Sequence, residues 1–246
     1  MLKLATALSN APIKALFFDL DDTLYESAPI YALGLERAWS TFQQTSYGKL
    51  CEFDRFKELY AAARERTKKS LIHSPSKNSR LIYFHHLVSS IRGAPLAKLV
   101  FELDQAYASA YDSIDFSPAR CLLKSLKAVF KIAIVTNQTM EAQFAKLANL
   151  DPDGDLIDLI VTSESVGFEK PDARVFETAL AELSLSPKEA VMIGDNLNQD
   201  ILGARAVGLH CIYITNNPKE VVRLELENPL LGRVGVLEQI RALLIR

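Results

Sequence analysis

Residues 13–25 read IKALFFDLDDTLY: an apolar run from Ile13 to Phe18, broken by Asp19, Asp21 and Asp22 within four residues. The run does not alternate apolar with polar positions. That pattern belongs to a strand covered on both faces, as in a parallel sheet flanked by helices. Four more runs share this character: Lys131–Asn137, Leu156–Ser163, Ala190–Asp195 and Cys211–Thr215. Between the last four the apolar spacing changes to that of a helix. In 140–150 it places Phe144, Leu147 and Ala148 on one stripe, and in 171–183 it gathers Val175, Phe176, Ala179, Leu180 and Leu183. Pro171 is expected in the first turn of the second of these helices, where a missing N–H costs nothing. Strand alternating with helix implies right-handed crossovers and a Rossmann-like, doubly wound parallel sheet of the α/β class.

The stretch between the first two strands breaks the rhythm. Residues 26–114 show only helical spacing, in PIYALGLERAW, FDRFKELYAAARERTKK, SRLIYFHHLVSSI and PLAKLVFELDQAYASAY, with Gly-, Pro- and Ser-rich punctuation between them. About 90 residues far exceed a normal connection. They are expected to form an inserted all-helical cap (26–114), with the α/β core built from 1–25 and 115–246. Linkers near 25–28 and 115–118 would let the cap act as a lid. The segment 234–246 is expected to close the core as an amphipathic helix.

Composition narrows the partners. The 246 residues are 49% hydrophobic and 24% charged, and 28 Lys plus Arg against 30 Asp plus Glu leave a net charge of -2. That balance gives no basis for binding nucleic acid. Cys51, Cys121 and Cys211 are widely spaced with no CxxC pair, which excludes a disulfide framework or thiolate zinc site as the organising feature. No apolar run is long enough to span a membrane. A cytoplasmic location is the simplest expectation, and nothing in the sequence chooses between monomer and dimer.

In an open parallel sheet, ligands sit beyond the carboxyl ends of the strands where the strand order reverses. The first strand ends in Asp19-Leu20-Asp21-Asp22-Thr23 and the second in Thr136-Asn137. The third leads into Glu169-Lys170-Pro171-Asp172, and the fourth ends in Gly194-Asp195-Asn196 with Asp200 one helical turn on. Carboxylates gathered on one edge cannot all stay ionised without a cation. A hard divalent ion with oxygen ligands, most simply Mg²⁺, would supply it, and Lys170 adds a second positive centre. Carboxylates, a metal, one Lys, one hydroxyl and one amide suit phosphoryl transfer better than redox or acyl chemistry.

FFDLDDTLY, IVTN, EKPD and GDNLNQD, in this order and at strand ends, resemble the four motifs of the haloacid dehalogenase superfamily, in its phosphatase branch with a helical (C1-type) cap. The resemblance implies that Asp19 is the nucleophile that takes a phosphoryl group. Asp21 would protonate the leaving alkoxide and then activate water. It implies a Mg²⁺ site from the Asp19 carboxylate, the Asp21 backbone carbonyl and Asp195. Thr136 and the Asn137 N–H would bind the phosphoryl oxygens, and Lys170 would neutralise the nucleophile and transition state. Asp200 and Asn196 would lie just behind the metal and orient its surroundings. The substrate would be a small phosphorylated metabolite: a nucleotide, sugar or organic-acid phosphate. FFDLDDTLY is also similar to the opening of the pyrimidine 5'-nucleotidase-like branch.

Each motif has a blander reading: DxD as a turn, the Lys as a solvated charge, GD as a helix cap. Together, at four successive strand ends, these readings fail. Asp21 argues against a dehalogenase, which needs no leaving-group acid, and a helical insert argues against a phospho-accepting receiver module. A phosphomutase would keep Asp21, and a phosphonatase would need a cap lysine such as Lys49, Lys57, Lys68 or Lys69. Asp151, Asp153 and Asp155 resemble the start of a calcium loop but lack its glutamate, and His85-His86 lacks zincin spacing. Lys68, Lys69, Arg64 and Arg66 read as a solvated face, with a phosphate-attracting rim as the minority reading. Trp39, Phe53, Phe56 and Tyr60 read as cap core.

Overall fold

The strands form where short β-branched and aromatic runs can bury both faces. β1 (Ala15–Phe18) is buried at every position, β2 (Lys131–Thr136) at all but its first, and β4 (Ala190–Gly194) throughout. The computed structural model describes residues 13–94, 96–215, 231–234, 240 and 244. With β3 (Leu159–Thr162), β5 (His210–Ile214) and β6 (Leu231–Val234), the strands make one parallel sheet in the order β3-β2-β1-β4-β5-β6. The order reverses between β1 and β4, so the ligand crevice of this topology lies at their carboxyl ends. Phe18 is level with Ile134 on one side and Ile193 on the other. The Asp19 N–H donates to the Ile193 carbonyl at 2.9 Å, which fixes Asp19 as the first residue past the strand.

Two expectations about the sheet change. There is a sixth strand, β6, whose Leu-Gly-Arg-Val has no β-branched run to announce it. β3 begins at Leu159 rather than Leu156, because Asp158 is committed elsewhere: its carboxylate accepts the Ile132 N–H at 2.7 Å and pairs with Lys127 at 2.6 Å. The helix expected over 234–246 lies largely outside the described residues, and Val234 itself ends β6.

By its contacts the chain divides into two units. One takes the described parts of Met1–Glu26, Asp115–Asn137 and Leu150–Arg246 and holds the sheet; the other takes Ser27–Ile114 and Gln138–Asn149. In the second unit α1 (Ser27–Gln43), α2 (Phe53–Ser70), α3 (Arg80–Arg92) and α4 (Ala97–Ala108) enclose Phe42, Phe56, Phe84, Leu87 and Leu103. Trp39 and Tyr60 pack against this core, and Phe53 lies 5.1 Å from Trp39. The Ser79 hydroxyl caps α3 at its start. Gly93, at φ 70°, closes it in the left-handed conformation that glycine adopts without penalty.

In the sheet unit α5 (Ser117–Lys127) buries Ala119, Leu122, Leu123 and Leu126, one stripe of an amphipathic helix. The next helix, α6 (Met140–Leu150), departs from both the expected domain boundary and the expected stripe. Residues 138–149 group with the helical unit. There Ala142 joins the apolar core, and the Lys146 ammonium lies 5.4 Å from the Tyr31 ring and 5.2 Å from that of Tyr111. The buried face of α6 is Gln143, Lys146, Leu147 and Leu150, while Phe144 is 44% exposed. A stripe drawn from apolar residues alone misses a face that carries a lysine and a glutamine. Back in the sheet unit, α7 (Ser163–Val166) follows β3, and α8 (Ala173–Glu182) buries Val175, Phe176, Ala179 and Leu180 as its spacing predicts. The cap of α8 is Asp172, whose carboxylate accepts the Arg174 N–H at 3.0 Å; Pro171 therefore precedes the cap instead of opening the first turn. Among the described residues, no helix is long and apolar enough to cross a membrane.

Candidate active site

The charged residues flagged at the strand ends meet in the sheet unit around Lys170. This residue is 2% exposed. Its Nζ donates to Asp19 Oδ1 at 2.7 Å, Asp200 Oδ1 at 2.6 Å and the Val135 carbonyl at 2.7 Å. An ammonium has three protons to give, and these acceptors take all of them. The loop that carries it is clamped by Asn137. The Lys170 N–H donates to Asn137 Oδ1 at 2.7 Å, and Asn137 Nδ2 donates to the Lys170 carbonyl at 2.8 Å. Thr136, buried at the end of β2, sits level with Thr162 of β3.

Beyond β4 the chain enters a π-helical turn, Leu197–Leu202, a geometry often found at functional sites. Asn196 caps it: its side-chain oxygen accepts the N–H groups of Asn198 and Gln199 at 3.1 and 3.0 Å, and its own N–H donates to Asp200 Oδ2 at 3.0 Å. Both oxygens of Asp200 are thus engaged. Gly194 is what lets Asp200 come so near, since a Cβ at position 194 would stand 2.3 Å from Asp200 Oδ2. Asp195, next along, accepts the hydroxyl of buried Thr23 at 3.2 Å. Asp22 turns the chain between β1 and Thr23 with φ 60°.

Asp21 lies half-buried and accepts a short hydrogen bond from the Tyr25 hydroxyl. Tyr25 is held in turn by an edge-on contact with Phe116, ring centres 5.4 Å apart.

The electrostatics are those of carboxylates short of positive charge. Burial raises the Asp19 pKa; the Lys170 ammonium opposes the rise, and the Asp200 charge adds to it. Burial, then repulsion from Asp200, pushes Asp195 up to about 6 against the Thr23 hydrogen bond. Burial alone would lower Lys170, but the charges of Asp19 and Asp200 reverse that and raise it. Asp19, Asp195 and Asp200 each offer an oxygen within 4.8 Å of the others, the only such trio of potential ligands among the described residues that holds Asp19. Three carboxylates around one ammonium leave negative charge uncompensated. With Asp200 occupied on both oxygens, Asp19 and Asp195 keep one each for a divalent cation. The donor set, all oxygen, fits Mg²⁺.

Of the flagged residues, Asp19, Thr136, Asn137, Lys170, Asp195, Asn196 and Asp200 are all on this edge, and Asp21 follows within two residues of Asp19. Four contributors carried less signal. Tyr25 stands four residues from Asp21 in the opening motif, and Gly194 is the first letter of GD; both were visible without a reason to choose them. Thr23 closes the opening motif with nothing to mark it as a contributor, and its hydroxyl reaches Asp195. The Val135 carbonyl is backbone and has no letter at all.

A profile of haloacid dehalogenase-like hydrolases matches residues 13–208. A ribulose-1,5-bisphosphate 5-phosphatase of Halopiger xanaduensis is 37% identical over 203 residues, covering 80% of this chain and 83% of that protein. A glyceraldehyde 3-phosphate phosphatase of Methanothermobacter thermautotrophicus is 29% identical over 222 residues, 87% and 91% of the two chains. Among solved structures, a 2-haloacid dehalogenase from Pseudomonas syringae pv. Tomato DC3000 superposes with a TM-score of 0.69 at 22% identity, covering 94% of this chain and 98% of that one. At that identity the likeness speaks for the fold.

Proposed function

The chain belongs to the haloacid dehalogenase-like hydrolases, and we propose that it is a Mg²⁺-dependent phosphatase of small sugar phosphates and related phosphomonoesters. The observation that carries this reading is the contact of Lys170 Nζ with Asp19 Oδ1, beside a second carboxylate, Asp21, two residues on. A nucleophile under a buried cation and a nearby acid are what phosphate ester cleavage needs. A dehalogenase has no use for the acid. The named activities of the two relatives, both phosphatases of phosphorylated sugars, support the substrate class.

In this mechanism an Asp19 carboxylate oxygen attacks phosphorus as the ester P–O bond breaks, and the departing alkoxide takes a proton from Asp21. Asp21, now a carboxylate, accepts a proton from water as that water attacks the phosphorus of the Asp19 phosphoester. The Asp19–phosphorus bond breaks and inorganic phosphate leaves. Lys170 offsets negative charge on Asp19 in both halves. Asp200 and Val135 keep it aimed. Thr136 and the Asn137 N–H would receive the equatorial oxygens. Asp19, Asp195 and the Asp21 carbonyl would hold Mg²⁺, with Asp200 and Asn196 behind them; the ion, when bound, supplies charge to the transferring phosphoryl group.

The test is release of inorganic phosphate from a panel of sugar phosphates, phosphorylated organic acids and nucleotides, with Mg²⁺ and with EDTA. Hydrolysis of sugar phosphates that EDTA abolishes supports the reading. Activity undiminished by EDTA removes the metal from it, and no hydrolysis of any phosphomonoester sinks it.

A further inference from the structure

The helical unit contains a cavity of about 920 Å³ between α1, α2 and α3, the size of a small-molecule site. Its charged lining is one-sided. Lys57, Arg64, Lys68, Lys69 and Arg80 face Glu65 alone, and Glu65 is already paired with Lys69 at 2.7 Å.

Arg80 decides what the cavity can hold. It is only 9% exposed, yet its hydrogen-bond acceptors are neutral: Nη1 donates to Gln138 Oε1 at 2.6 Å and to the Asn78 carbonyl at 3.3 Å. Its guanidinium lies 5.1 Å from the Tyr31 ring and 5.8 Å from the Tyr107 ring. Among the described residues no carboxylate pairs with it; Asp104 acts on it only from longer range. A buried charge without a partner is costly, and an anion brought in from solution would relieve that cost. Nε and Nη2 donate to no described residue, so one edge of the planar fork stays open. That edge matches two oxygens of a phosphate.

We propose that this cavity binds a phosphate-bearing small molecule, its phosphate received by Nε and Nη2 of Arg80 and attracted by Arg64 and Lys68 at the rim. Tyr31, Tyr60, Tyr83 and Tyr107 line the rest of the cavity and give the ligand's carbon body an aromatic wall. The ligand is a phosphorylated metabolite separate from the substrate at Asp19, and the cavity's affinity for phosphate does not rest on the phosphatase reading.

The probe is inorganic phosphate, measured by equilibrium dialysis against the full chain with Asp19→Asn as background. Arg80→Met keeps the volume and removes the buried charge, so it is expected to fold with unchanged or higher thermal stability and to weaken phosphate binding roughly tenfold or more. Arg64→Gln with Lys68→Gln, both at the rim, should weaken it in the same direction. Equal phosphate affinity in all these proteins overturns the proposal, as does an Arg80→Met protein that is folded but markedly less stable, the mark of a purely structural arginine. If no phosphomonoester is hydrolysed but phosphate binding still depends on Arg80, the phosphatase reading fails and the cavity site stands.

Discussion

Lys170 and Asp200 form a buried ion pair, Nζ to Oδ1 2.6 Å, with each side chain 1% exposed. Asp200 is fixed by the Asn196 N–H, so it aims the ammonium at Asp19 instead of reaching for the substrate itself. Removing one partner of such a pair leaves an uncompensated buried charge, a loss of about 3–5 kcal/mol. Lys170→Met is therefore expected to lower the urea midpoint by that order and to abolish turnover. Asp200→Asn should lose both stability and kcat, because an amide nitrogen must then face either the ammonium or the Asn196 N–H. A variant at either position that matches the wild type in urea would remove the pair from the account of stability.

Gly194→Ala tests the same cluster from the backbone side. The added methyl would meet Asp200 Oδ2 at 2.3 Å and Cγ at 2.6 Å. Asp200 cannot swing away without breaking its bonds to Lys170 and Asn196. Overpacking of this kind costs about 1–3 kcal/mol where neighbours can shift, and more where they are pinned. The expected result is a folded but destabilised protein with little activity. Wild-type kcat in Gly194→Ala would show that Asp200 can move freely.

These two sites show how far the sequence could be read. Asp19, Lys170, Asp195 and Asp200 announce themselves because ionisable residues at the ends of apolar strands have few structural reasons to be there. All five expected strands and all four helices of 26–114 followed from period alone, with β3 shorter than expected. What period could not show was polarity used as packing. Lys146 and Gln143 turn the buried face of α6 away from Phe144, and the short, glycine-containing β6 pairs by its backbone. Nor could it show the joint made by Asn137, whose side-chain amide ties down the backbone of Lys170.

The helical unit should carry its own pH dependence. Asp104 is pushed up to about 6 from 3.8, first by burial and then by the charge of Glu141, with Arg80 opposing. Its folded pKa is raised, so the native state holds the proton more tightly than the unfolded chain. The contribution to stability is complete below pH 3.8 and is lost as the pH rises through about 6. Discounted for partial exposure, it amounts to about 1–2 kcal/mol. Asp104→Asn should flatten the stability profile between those limits, read by urea melts at a series of pH values. An unchanged slope would mean that Asp104 titrates alike in the folded and unfolded chain.

Tyr25 supplies the sharpest test of the proposed acid. Its hydroxyl donates to Asp21 Oδ1 while its ring is anchored on Phe116, which makes it a positioning residue for Asp21. Tyr25→Phe keeps the ring contact and deletes only the hydrogen bond, so the fold should survive with a stability change of about 1 kcal/mol. Without that bond the Asp21 carboxyl loses the contact that fixes its direction. With Asp21 no longer aimed, kcat should fall about tenfold with KM little changed, the mark of a contact that matters in the transition state rather than in substrate binding. Asp21→Asn should remove most of the activity and Asp19→Asn all of it, both in a folded protein. A Tyr25→Phe enzyme whose kcat matches the wild type would show that Asp21 is held by something other than this hydroxyl, and the assignment of Asp21 as the proton carrier would lose its structural support.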